Sequence, residues 1–194
     1  ILSGGVAWWE PLVALGLLRS GCGVNNMPTY EEQAKAKWAD VNNQCQRRAD
    51  LIPNLVETVK GFAAQEKAVL EGVVEARAKA TQTTIQVNAD QLSDPAAVKA
   101  FQDAQAGLTG ALSRLLAVVE NYPDLKSNQN FLALQSQLEG TENRISVARR
   151  DYIESVRAYN TLIKRFPNNL IAGFFDFGEK EYFEATAEAR EVPK

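Results

Sequence analysis

Few side chains in this 194-residue chain could do chemistry, and the gaps among them are informative. There is no histidine. That removes Ser-His-Asp and Cys-His relays, a histidine general base, Glu-x-x-His di-iron bundles and histidine-ligated zinc. The two cysteines, Cys22 and Cys45, are too few for a four-thiolate metal site or a disulfide framework. Asp176-Phe177-Gly178 matches a kinase tripeptide, but no glycine-rich phosphate loop or His-Arg-Asp triplet accompanies it. The carboxylates are scattered, without the pairing that hydrolysis by two acids requires. With 21 basic residues against 24 acidic ones the formal charge is -3, so the positive excess that drives nucleic-acid binding is missing. These residues predict no enzyme activity, no catalytic residue, no cofactor or metal, and no nucleic-acid partner.

What remains is a set of charged residues whose spacing points them at a core. Positions 41, 45, 48, 52, 55, 59, 62, 66, 69, 73 and 76, in alternating steps of four and three, are apolar except for Arg48 and Glu66. A charge held against apolar packing is costly unless paired. Glu139, Glu142 and Arg144 farther along supply complementary groups. The expected polar core cluster is therefore Arg48, Glu66, Glu139, Glu142 and Arg144, acting either as a ligand or partner site or as ion pairs that fix helix register. Arg47-Arg48 and Arg149-Arg150 could also form a patch for anionic headgroups, but Asp50, Asp151 and Glu154 lie within a turn of them and suggest a solvated face instead.

The elements that must position these residues read as helices. Thr29-Tyr30-Glu31-Glu32 is a capping box, predicting a long helix from residue 29 that carries the first seam for roughly 50 residues and about 80 Å, kinked near Pro53. Asn88 to Ser93 is a polar connection, and Asp94-Pro95 is a cap with proline at the first helical position. The second seam is Val98, Phe101, Gln105, Leu108, Leu112, Leu115, Val119 and Tyr122, closed by Pro123. Gly107 and Gly110 weaken that helix unless a neighbouring backbone packs against them. A third helix should start at Ser127 or Asn128 and stop before Pro167. Its seam runs through Phe131, Leu134, Leu138, Thr141, Ile145, Ala148, Tyr152, Ser155, Tyr159, Leu162 and Phe166. The fold class is all-α, an elongated antiparallel bundle of three to four long helices followed by an irregular aromatic tail.

Three regions follow: residues 1–28, a bundle over 29–166, and a tail over 167–194 that docks on the bundle or on a partner. Residues 1–18 are mostly apolar but include Glu10 and Pro11, with Trp8 and Trp9 suited to a membrane interface. Ser20-Gly21-Cys22 is partly like a lipoprotein cleavage box, which makes Cys22 a candidate lipid attachment, although Arg19 stands where an apolar residue is usual. An uncleaved membrane segment, a retained signal remnant and a plain arm all stay open. A first helix near 80 Å beside a second near 40 Å leaves seam positions uncovered and predicts a homo-oligomer, unless the chain folds back at Pro53 into a compact four-helix monomer.

Residues 38–61, WADVNNQCQRRADLIPNLVETVKG, resemble the signature of the LemA family of bacterial envelope proteins, above all through Arg47, Arg48, Asp50, Pro53 and Asn54. Ala76-Arg77, Glu120 to Lys126, Phe131 to Gln135, Glu139 to Arg150, Tyr152, Tyr159-Asn160 and Phe166-Pro167 continue the resemblance. Cys45 departs from the family's usual aromatic or aliphatic residue, which marks it as a core side chain. The resemblance implies a membrane-anchored or lipid-anchored helical bundle of the bacterial cell envelope without catalytic activity. The expected function is a non-enzymatic scaffold held by its N-terminal segment and acting on envelope protein partners. The alternative is a lipid or small-molecule binding module with its pocket in the bundle core around Arg48, Glu66, Thr141 and Ser155.

Overall fold

The computed structural model describes residues 26–183. They form six α-helices and one short 3-10 turn, with no strand among the described residues. The helices are α1 (Asn26–Lys60), α2 (Lys67–Gln86), α3 (Pro95–Val119), α4 (Pro123–Lys126), α5 (Gln129–Lys164) and α6 (Asn168–Phe174). Cys22 and the apolar stretch of residues 1–18 lie outside the described residues.

Several boundaries follow from local chemistry. The Asp94 side chain accepts from the amide of Ala96 at 2.9 Å, with Pro95 opening α3 where its missing N–H costs nothing. Asn128 caps α5 by accepting from the amide of Phe131 at 3.1 Å. The polar connection before α3 contains the 3-10 turn Ala89–Gln91, closed by a capping box between Asn88 and Gln91.

Two expectations about the first helix are corrected. It is already helical at Asn26, where the described residues begin, so Thr29 lies inside the helix and Met27 is buried in one group with Tyr159, Ile163 and Ala172. It also ends at Lys60, so the expected 50-residue helix is two helices, α1 and α2, joined by a turn through Gly61–Glu66. The amides of Phe62 and Ala63 bond back to the carbonyl of Val59, and Phe62, an expected seam residue, is 41% exposed. Lys60-Gly61 is an ordinary helix-stop signal that the unbroken heptad count obscured. The chain therefore folds back eight residues beyond Pro53, which itself sits inside continuous α1.

Pro53 has no N–H, so the carbonyl of Ala49 four residues earlier loses its helical donor. The Arg77 Nε of α2 supplies one at 2.8 Å. A proline inside one helix thereby fixes the position of its neighbour.

α1 packs along both α5 and α2, and α2 packs along α3; α3 and α5 approach each other less closely. Met27 meets Tyr159 and Ile163, Trp38 meets Tyr152, and Arg48 meets Glu142, so α1 and α5 run in opposite directions. The core comes in three groups. One holds Ile52, Leu55, Val59, Val73, Leu108, Leu115 and Phe131; a second is aromatic, with Trp38, Phe101, Tyr152 and Phe183; the third gathers Met27, Tyr159, Ile163 and Ala172. Each of these large apolar side chains contributes about 2–3 kcal/mol when fully buried. The third seam holds through Tyr152 and again at Tyr159, but Val156 and Ile163 are buried where Ser155 and Leu162 were expected, and Phe166 is 79% exposed.

The segment after Pro167 is not wholly irregular, since residues 168–174 form α6. Beyond it the chain lies across the aromatic group. Phe183 stacks on Trp38 with centroids 5.7 Å apart, and Glu181 N–H donates to the Leu92 carbonyl at 2.8 Å. Tyr159 and Tyr152 donate to the carbonyls of Gly178 and Glu181, while Asn160 exchanges two hydrogen bonds with the backbone of Lys180.

Candidate functional site: a polar layer across four helices

Arg48 projects from α1 between the two larger apolar groups and is 2% exposed. Its terminal nitrogens are engaged from two other helices. One donates to the Glu142 carboxylate of α5 at 2.5 Å and to the Thr109 hydroxyl of α3 at 3.0 Å. The other donates to Gln105 Oε1 of α3 at 2.5 Å and to the Gln105 carbonyl at 3.4 Å. Gln105 passes the network on, since its Nε2 donates to the Thr84 hydroxyl at 3.1 Å and to the Ala80 carbonyl at 3.4 Å, both on α2. All four long helices are thus joined at one level. Arg48 Nε is the one nitrogen of this guanidinium without a partner among the described residues.

Of the five residues expected to form this cluster, only Arg48 and Glu142 come together. Glu66 lies in the turn between α1 and α2, accepting a hydrogen bond from Tyr122 at 2.8 Å. It reached the seam only because the heptad count ran on through a turn. Glu139 and Arg144 are exposed on α5, each one residue from a member of the inward stripe that carries Leu138, Thr141 and Ile145. Gln105, Thr109 and Thr84 complete the layer instead. Gln105 was visible as the lone polar member of the second seam; Thr109 and Thr84 carry no periodic signal, because each sits at the edge of its helix's apolar face.

The other polar core candidates are satisfied locally. Thr141 donates to the Gln137 carbonyl at 2.8 Å and Ser155 to the Tyr152 carbonyl at 2.7 Å. The two arginine pairs do not form a common patch. Arg47 and Arg150 are exposed, whereas Arg149 lies with its guanidinium 5.3 Å from the centre of the Phe183 ring. Burial lowers the Arg149 pKa. Cys45 is 2% exposed beside this group, and burial pushes its thiol up, against the pull of Arg48 and Arg149, which keeps it protonated and unreactive. Asp50 accepts from Gln46 at 2.7 Å, and Asn54 is exposed.

Because α3 and α5 stand apart, a groove of about 450 Å³ opens beside the layer. Leu112, Leu116 and Leu138 form its floor, with Thr109, Glu139 and Glu142 among the polar groups on its walls. Among the described residues no cluster of three or more Cys, Asp or Glu side chains could hold a metal, and no helix is long and apolar enough to cross a membrane.

Comparison with known proteins gives a consistent assignment. The model of the LemA family matches residues 37–194. Two curated proteins named magnetosome protein MamQ 1 and MamQ 2, from Paramagnetospirillum magneticum (strain ATCC 700264 / AMB-1), are each 30% identical over 174 residues, covering 82% of this chain and 64% of theirs. Magnetosome protein MamQ of Magnetospirillum gryphiswaldense is 30% identical over 173 residues with the same coverage. The chain therefore spans 64% of the length of these relatives.

Proposed function

The chain belongs to the LemA family, and from that premise we propose that it is a non-enzymatic, membrane-anchored scaffold of the bacterial envelope. It works as an elongated antiparallel bundle through protein-protein contacts. The observation that carries this reading is the polar layer. Arg48, Gln105, Thr109, Thr84 and Glu142 spend their hydrogen bonds on one another. A network closed in this way sets helix register and leaves no array of free groups aimed at a substrate. Further support comes from the family and from relatives that carry the name magnetosome protein. Anchoring in this reading falls to residues 1–28, with their apolar run, paired tryptophans and Cys22. Partner contacts fall to the groove between α3 and α5, where an apolar floor beside Glu139, with Glu142 already paired to Arg48, suits a helix carrying a mainly apolar face.

Fractionation of cells producing the full-length chain tests the anchoring. Recovery with membranes, resistance to high salt and release by detergent are expected. Recovery wholly in the aqueous fraction, with no lipid on Cys22, would overturn it.

One observation favours the alternative of a lipid or small-molecule binding module. The groove's volume of about 450 Å³ lies within the range of ordinary ligand sites. Native mass spectrometry of protein taken directly from its membranes separates the two: a retained small molecule favours the module, and a bare chain favours the scaffold.

A further inference from the structure

Helix α6 is amphipathic in the wrong sense for a water-exposed helix. Asn168 and Ala172 are buried against the end of the bundle, whereas the outward residues are the large apolar ones. Phe166 is 79% exposed, Leu170 66%, Phe174 87% and Phe175 66%. The Phe174 and Phe175 rings meet edge to face at 5.7 Å, so they form one surface. Leu170 and Phe174 of α6, with Phe166 before it and Phe175 directly after it, gather four such side chains within ten residues and mark a contact surface.

Two further observations say what covers it. First, Arg157 and Arg165 line a groove of about 370 Å³ with Tyr30, Thr161 and Leu162 at this same end of α5, and neither has an acidic partner within 4.0 Å among the described residues. Of the other charges nearby, Lys164 is engaged by Glu179 and Lys180 by Glu31, Asp176 lies in the loop after α6, and Glu154, three residues before Arg157, is exposed and more than 4.0 Å from the guanidinium. Second, Met27 shares a buried group with Ala172, so the amino-terminal part of α1 lies beside α6, and the apolar run of residues 1–18, with Trp8 and Trp9, precedes it in the sequence. A seven-residue helix about 10 Å long cannot supply the roughly 800 Å² per partner of a stable dimer. Aromatic side chains beside cationic ones are instead the composition of a membrane interface.

We propose that this end of the bundle rests on the lipid bilayer. Phe166, Leu170, Phe174 and Phe175 enter the boundary between headgroups and acyl chains, and Arg157 and Arg165 meet the phosphates of anionic lipids. The inference rests on the membrane anchoring proposed above and adds a second, oriented contact to it.

The test places the photoreactive residue p-benzoylphenylalanine at position 174, or at position 62 as a control, in the full-length chain. Phe62 is 41% exposed in the turn at the other end of α1, about 50 Å away. Each protein is reconstituted into phosphatidylcholine vesicles containing phosphatidylglycerol, recovered by flotation, irradiated and weighed by mass spectrometry. The expected result is a lipid adduct from position 174 at least tenfold more abundant than from position 62. Floated protein that gives no lipid adduct from position 174, or only adducts to a second copy or to residues 1–25, overturns this inference and leaves anchoring intact. Protein that does not float removes the anchoring and the inference together.

Discussion

At the scale of single residues, the molecule depends on polar groups placed where the apolar pattern has no use for them. Gln105 makes the point. Changing it to leucine would perfect the second seam, yet it would take from Arg48 one of its acceptors and from Thr84 its donor. Gln105→Leu is therefore expected to destabilise the protein by about 2–3 kcal/mol, because bonds to a buried charge are the costly ones to lose. Urea unfolding would read this as a lower midpoint; an unchanged or higher midpoint would mean the layer contributes nothing to the fold. Arg77 and Pro53 form a second such pair. Arg77→Ala should cost about 1–2 kcal/mol in the natural chain and clearly less in a Pro53→Ala background, where residue 53 regains the N–H that the Ala49 carbonyl needs. Additive effects in the double-mutant cycle would disprove the link. Tyr159 adds a pH dependence. Burial, with the charge of Glu31, raises its phenol from the usual value near 10 to about 12, and burial raises Tyr152 further. The folded state thus holds the proton more tightly than the unfolded one, so this part of the stability is complete below pH 10 and lost as the pH climbs towards 12. Urea midpoints measured across that range should fall, and the fall should be shallower in Tyr159→Phe.

At the scale of elements, the glycines of α3 set a clear expectation. Space around Gly107 and Gly110 is open, with nothing within 4 Å of a Cβ added at either position. Gly107→Ala and Gly110→Ala should each stabilise the protein by about 0.5–1 kcal/mol, read as a higher thermal midpoint, with no penalty from packing. A loss of stability would mean that the added methyl group meets a neighbour, against the open space seen at both positions. How far these elements can be read from the sequence varies with the kind of signal. α3 is legible in its start and its face, because Asp94-Pro95 and a seam broken only at Gln105 agree, but it ends at Val119, short of the expected Tyr122, and Pro123 opens α4. α1 and α2 are legible in content but not in their division, since a heptad phase that persists through Gly61 counts as one helix while Lys60-Gly61 ends it. The candidate site is legible only in part. Arg48 and Glu142 stand out as charges, and Gln105 as a flaw in a seam, but which of them meet depends on the turn at Gly61–Glu66. That turn sets α2 beside α1 and sends Glu66 to Tyr122 at the far end. The short α6 was hidden because its apolar residues face outward, so no seam announces it.

At the scale of the whole molecule, the fold-back changes the case for assembly. The length mismatch that called for a second copy disappears once α1 and α2 cover one another, as their shared core from Ile52 to Ala80 shows. In the proposed reading, any self-association then falls to residues 1–28, and contacts with other proteins fall to the groove between α3 and α5. Under the proposed function the chain works by holding such partners at the envelope. Photocrosslinking in living cells tests it most directly, from p-benzoylphenylalanine placed at the exposed, groove-lining Ser113 of the full-length chain. The account predicts discrete adducts with other proteins of the membrane fraction, lost when Leu116→Arg puts a charge into the groove floor. Adducts with a small molecule alone, or no adduct from protein fully recovered with membranes, would contradict it.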